Sequence, residues 1–295
     1  MTTIYFDQFA ISGLSGKDVS KEWGKIREVL FRLKRQRKIR CCTSPETIFE
    51  TSQREEKENS NRIVENYDLI SDLTDNCYLC DMKLLICQQI AKRVKGIDSD
   101  PFTYVPHDFT SREFNFSLKE IIHSEFDTIE IPPFPVEISK EKIAYLIKLL
   151  VDNDKITFTE SICNFLTQKQ SYPFYTDICR TLVECFNFTI EDFEQLLNQI
   201  KKYDLSISPT LKIRSMLDPY ISFSNNDRRQ KIKSKNDIFD ISRISSAIPY
   251  CDVVLCDSKW KNGVQTLGLD AEYKTTLFSG KPLDLAEFEK FLLNL

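Results

Sequence analysis

The chain has 295 residues, 41% of them apolar, with 40 basic against 44 acidic side chains and a formal net charge of −4. That composition supports a sizeable buried core and excludes global disorder, while near-neutrality excludes a polycation acting on nucleic acid through its overall field. The seven glycines form neither a GxGxxG nor a GxxxxGKS/T pattern, which argues against phosphate-cradling loops. No apolar run approaches the roughly 20 residues that span a bilayer, so no membrane contact is expected. Ten cysteines and a start, Met1-Thr2-Thr3, without a leader read as reduced thiols of a cytoplasmic protein rather than a disulfide framework.

In chain order, Ile4-Tyr5-Phe6 is a short apolar strand ending on Asp7. A helix follows from about Lys17 to Arg35, with Trp23, Ile26, Leu30 and Leu33 at three- and four-residue steps. Its other face and the next segment are basic, from Arg32 to Arg40. Ile39 to Cys42 reads as a second strand, and Thr43-Ser44-Pro45 as a helix start with a capping hydroxyl and Pro at the first position. Glu50 falls on the second turn of that helix. An exposed stretch, Gln53 to Asn61, precedes two amphipathic helices. Ile63, Tyr67 and Ile70 mark the first; Leu79, Met82, Leu85, Ile86 and Ile90 mark the second.

From Gly96 to Val136 the prolines predict an irregular connector with one helix near Ser117 to His123. Helical periodicity resumes with Ile143, Leu146 and Leu150. Thr189-Ile190-Glu191-Asp192 resembles a capping box opening a helix with the stripe Phe193, Leu196, Leu197 and Ile200. Arg228 to Lys235 is a basic loop. Asn236 caps a helix over about Asp237 to Ala247, Pro249 ends it, and strands follow at Asp252 to Cys256 and Tyr273 to Phe278. Strand and helix alternate in the terminal thirds, which indicates an α/β parallel sheet interrupted by a helical insertion. The expected division is 1–96 and 223–295 as two parts of one core, with 97–222 as the accessory subdomain.

Buried parallel strands read as continuous apolar runs, and ligands gather outside their carboxyl ends. Asp7 and Asp257 both close such runs, so both belong on one sheet edge. Carboxylates gathered without partners repel, and a divalent cation is the usual reason to gather them. Asp240 joins them because it shares a helical stripe with Ile244 and Ala247 and so sits at the top of a core-facing side. Asp237 lies near the same face, where an acid also answers the helix dipole. Asp252 begins its strand and belongs at the far edge as a structural group. Each acid also has an ordinary alternative as a cap or turn residue.

These residues carry a resemblance. The order strand-Asp7, Ser44 with Glu50 six residues on, Asp240 near a helix start and an apolar strand ending in Asp257 resembles the PIN-like nuclease fold. The most specific piece is Asn236-Asp237-Ile238-Phe239-Asp240 with Pro249-Tyr250-Cys251-Asp252 and Val253 to Asp257, which is similar to segments of bacterial PIN-like proteins. It covers roughly residues 1–55 and 225–280. The large helical middle and Phe9, where many members place a polar residue, depart from the pattern.

The resemblance implies an α/β/α core and a Mg²⁺- or Mn²⁺-dependent nuclease with RNA ahead of DNA as substrate. Asp7, Glu50, Asp240 and Asp257 would be its catalytic acids, and Asp7, Asp240, Asp257 and Asp237 its metal ligands. Glu50 rests on the resemblance, and Glu46 is its rival. Arg35, Arg37 and Lys38, with Arg228, Arg229, Lys231, Lys233 and Lys235, are candidate phosphate contacts. The competing readings are a non-catalytic module that binds a protein partner through its helical middle, and a structure-specific DNA nuclease of the same fold. Cys77-Tyr78-Leu79-Cys80 is a lone CxxC at amphipathic-helix spacing. It reads as buried thiols, as do Cys41, Cys42 and Cys256. His107 and His123 read as surface or internally satisfied side chains.

Overall fold

A computed structural model describes residues 1–15, 20–48, 60–104, 140–170, 172–224 and 235–295. It is a mixed α/β chain with two compact units. The first comprises Met1–Asp81, Pro101–Glu120 and Ser246–Leu295, and the second Met82–Asp100 and Ile121–Ser245.

The first unit is built on a parallel sheet. Strand β1 (Thr2–Phe6) pairs with β2 (Ile39–Cys42) on one side and β5 (Val253–Leu255) on the other, and β6 (Thr276–Phe278) completes the order β2-β1-β5-β6. The registers Tyr5↔Cys42 and Phe6↔Leu255 align the carboxyl ends of strands from opposite ends of the chain. A small antiparallel pair, β3 (Cys77–Leu79) with β4 (Phe102–Tyr104), joins at the end of β2, where Leu79 N–H donates to the Thr43 carbonyl at 2.9 Å.

Alternation along β1 sends Ile4 and Phe6 to one face and Tyr5 to the other. On the Ile4/Phe6 face the core is closed by four helices: α1 (Gln8–Leu14), α2 (Lys21–Arg35), α3 (Ser60–Thr74) and α12 (Pro282–Leu293). Ile26, Leu30 and Leu33 on α2 meet Phe288 and Leu292 on α12 there. Each such side chain contributes about 1.5–3 kcal/mol by leaving water. α10 (Ser258–Thr266) and α11 (Leu269–Tyr273) connect β5 to β6.

In its described residues the second unit is helical: α4 (Met82–Lys95), α5 (Lys140–Leu166), α6 (Pro173–Phe186), α7 (Ile190–Tyr203), α8 (Pro209–Ser224) and most of α9 (Lys235–Ala247). Phe158, Ile162, Ile178, Leu182, Phe193 and Leu196 form its dry centre, with Phe158 stacked on Tyr175 at 4.9 Å. Asp154 on α5 accepts from Tyr175 on α6 and Ser215 on α8, so one carboxylate ties three helices. The capping box at Thr189 forms as expected: its hydroxyl accepts from Asp192 N–H at 3.3 Å, and Asp192 accepts from Thr189 N–H at 2.9 Å.

Several elements differ from the sequence expectation. α1 occupies Gln8–Leu14, where no helix was assigned. Leu79, expected on a helix, lies in β3, although Cys77 and Cys80 are buried as anticipated. The last strand is only Thr276–Phe278, since Leu269–Tyr273 is helical. The helix expected near residues 117–123, His107 and His123 lie outside the described residues. All ten cysteines are free thiols, and among the described residues no helix is long and apolar enough to cross a membrane.

Candidate functional site

The four strands run out at one level. By register Ser44 after β2 stands beside Asp7 after β1, Cys256 and Ser279 continue that level after β5 and β6, and Asp257 follows one residue beyond it. Asp7 N–H donates to the Leu255 carbonyl at 3.2 Å, extending the ladder by one residue. Neighbouring strands lie about 4.8 Å apart, so Asp7 and Asp257 close adjacent strands.

Asp7 is 3% exposed and caps α1, its carboxylate accepting from Gln8 N–H at 2.8 Å. Asp257 occupies the same position before α10, but its exposed side chain makes no capping bond. Beneath this level lies a hydroxyl cluster that only the folded register assembles. Tyr5 on the far face of β1 places its OH 3.0 Å from Ser44 Oγ and 3.4 Å from Thr47 Oγ1, and all three are buried. Its only sequence signal is Tyr5 alternating with Ile4 and Phe6.

At the β6 end, Asp284 accepts from Ser279 N–H at 2.9 Å and from Lys261 Nζ at 2.9 Å. Burial pushes its carboxyl up, yet the hydrogen bonds from Lys261 and Ser279 outweigh this and hold it below the ordinary aspartate value. This knot fixes α10 and α12 against the end of the sheet.

Asp237 and Asp240 stand on α9, in the part that belongs to the second unit. Asp237 is 9% exposed. Ile244 and Ala247 are buried, so Asp240 does share a core-facing stripe. One turn on, however, Arg243 donates to the Asp240 carboxylate, and its own side chain is only 3% exposed. Asp240 therefore neutralises a buried guanidinium, a role not assigned from sequence although the i,i+3 spacing was there to read. Glu46 lies in the helical turn after Ser44 and is 7% exposed. Glu50, Arg228, Arg229, Lys231 and Lys233 lie outside the described residues, and Lys235 opens α9.

Among the described residues no group of three or more His, Cys, Asp or Glu side chains converges closely enough to hold a metal ion. Asp7 and Asp257 supply the oxygen donors that suit Mg²⁺ or Mn²⁺, as a pair rather than a full cage.

Arg35, Arg37 and Lys38 stand elsewhere. They precede β2, at the amino edge of the sheet, the opposite edge from Asp7 and Asp257. Asp252 shares that amino edge as expected and accepts from Thr3 N–H at 2.7 Å. In the core Cys42 and Cys251 lie 3.7 Å apart, Sγ to Sγ, and burial holds the Cys42 thiol well above its usual value.

No protein-family model, no curated protein and no solved structure matches the chain.

Proposed function

We propose that the chain is a metal-dependent nuclease with a PIN-like core, acting on RNA ahead of DNA. One observation carries the reading: Asp7 and Asp257, 250 positions apart, close adjacent parallel strands at the edge where such sheets bind ligands. Asp7 and Asp257 would hold Mg²⁺ or Mn²⁺, with Glu50, Asp240 and Asp237 as further acids. The ion, when bound, supplies Lewis-acid polarisation of a phosphodiester and an activated water. The chain's own part is to hold two charges at fixed strand ends, one buried against α1 and one open to solvent. Asp237 and Asp240 enter this reading from the resemblance alone, and Asp240 is already paired with Arg243. The preference for RNA rests on the resemblance alone. Free thiols throughout suit a reducing compartment such as the cytoplasm.

A second reading has its own support. Asp7 caps a helix and Asp240 pairs with Arg243, so both have structural employment without any metal. In that reading the chain is a non-catalytic module whose helical unit docks a protein partner.

Labelled single-stranded RNA, single-stranded DNA, duplex and flap substrates, incubated with Mn²⁺, Mg²⁺ or EDTA, separate these readings. The nuclease reading expects cleavage with the divalent ion, none in EDTA, and loss of cleavage in Asp257→Asn. Equal cleavage by wild type and variant removes the site assignment; no cleavage of any substrate favours the docking module. Exclusive cleavage of duplex or flap DNA moves the substrate from RNA to structured DNA.

A further inference from the structure

We propose that Arg32, Arg35 and Arg37 form a phosphate-gripping exosite for a polynucleotide backbone, on the sheet edge opposite Asp7 and Asp257. The proposal rests on the nucleic-acid reading above and adds where the strand is held.

Arg32 to Arg40 carries six basic residues, and no acid occurs between Val29 and Pro45. The fold divides that run. Lys34 pairs with Asp75 at 2.7 Å, and Lys38 donates to the Leu295 carbonyl at 2.7 Å. Arg40 stacks 4.1 Å over the Phe102 ring. Arg32, Arg35 and Arg37 are exposed and engage no carboxylate, hydrogen-bond acceptor or ring among the described residues. Arg32 and Arg35 are one turn apart at the end of α2, and Arg37 follows in the turn to β2.

Arg37 carries the argument furthest. α2 ends in a Schellman motif: Lys38 N–H donates to the Leu33 carbonyl at 3.0 Å and Arg37 N–H to the Lys34 carbonyl at 2.8 Å. Arg37 takes the left-handed position of that motif, φ 56°. Glycine suits this position because a Cβ crowds the following carbonyl. The turn itself is thus better served by glycine, and what arginine adds is a guanidinium held at the rim. Attraction to the helix dipole accounts for Arg32 and Arg35 but not for Arg37, which lies beyond the helix. Guanidinium groups grip phosphate oxygens through two parallel N–H bonds.

The five strand steps from Thr2 to Asp7 put about 16 Å between this cluster and the carboxylates. An arginine there does not reach a bond cleaved at the acid edge. Its function is to anchor flanking backbone, so it works without a divalent ion.

Fluorescence anisotropy of the full chain in EDTA, with labelled single-stranded RNA and DNA over a salt series, tests this. Arg32→Ala/Arg35→Ala/Arg37→Gly should lower the slope of log affinity against log salt by about 2, at about 0.7 per lost contact. Arg37→Gly alone should weaken binding roughly fivefold near 0.1 M salt, the same slope taken over one decade, without lowering the melting temperature. Lys148→Ala/Lys169→Ala/Lys201→Ala, which removes three exposed charges from the helical unit, should leave binding unchanged. Any of four results overturns the exosite: unaltered binding by the triple arginine variant, an equal loss in the lysine control, binding that requires Mn²⁺, or arginine-dependent retention on phosphatidylserine vesicles without RNA or DNA binding. Arginine-dependent binding with no cleavage under any condition would leave the exosite standing and remove the nuclease.

Discussion

Replacing Asp240 by Asn asks whether this acid serves the fold or a cation. The Arg243 side chain is 3% exposed and that of Asp240 14%, so their ion pair is largely withdrawn from water. Removing one partner of a buried pair costs about 3–5 kcal/mol, because the remaining charge stays desolvated. Asparagine retains a carbonyl that accepts from the guanidinium, so the expected loss lies near the lower figure, about 3 kcal/mol. Asp257 is exposed and does not cap α10 with its side chain, so Asp257→Asn should stay within about 0.5 kcal/mol of wild type. Urea unfolding followed by circular dichroism in EDTA measures both. Combining Asp240→Asn with Arg243→Met should recover part of the loss, since removing both charges leaves no uncompensated group. A loss below about 0.5 kcal/mol for Asp240→Asn would refute the structural role of the pair.

Asp284→Ala strands Lys261 and Ser279 and should cost about 2–4 kcal/mol in the same assay. Because the Asp284 pKa is lowered in the folded chain, its contribution is complete above the unfolded value, about 4, and fades as pH falls through the lower folded value. The gap between wild type and Asp284→Ala should therefore narrow in acid titrations below about pH 4, and a gap that widens there contradicts the assignment. Thr189→Ala removes the α7 cap and should cost about 1 kcal/mol, while Thr189→Ser, which keeps the hydroxyl, should be nearly neutral by thermal melting.

Strands β1 and β2, the run ending on Asp257 and the stripe of α7 were legible because each rests on a local pattern: a short apolar run, a capping box, a three-four spacing. That β1 and β5 share one parallel sheet followed from similar runs ending alike on Asp7 and Asp257; that they are neighbours in it shows only in the fold. Leu79 misled because a three-residue apolar run before Met82 fits the start of an amphipathic helix as well as it fits a strand. α12 went unassigned although Pro282, Leu285, Phe288 and Leu292 carry ordinary helix signals. The partnership of Arg243 with Asp240 was within reach as an i,i+3 pair, but the burial that makes it consequential depends on packing. Tyr5 meeting Ser44 and Thr47 depends on the register of β1 with β2. That register also fixes Arg35 and Arg37 on the amino edge, where their basic character alone could not locate them.

The nuclease reading requires that Asp7 and Asp257 together bind a divalent ion. Titration of Mn²⁺ into the full chain, with free ion followed by electron paramagnetic resonance, measures this directly. Asp7→Asn keeps a residue that caps α1 well, and Asp257→Asn changes an exposed side chain, so both variants should fold. Each should weaken Mn²⁺ binding at least about tenfold, the equivalent of about 1.4 kcal/mol for one lost ligand. Folded variants that bind Mn²⁺ as tightly as wild type, or a wild type that binds none, would contradict the central claim.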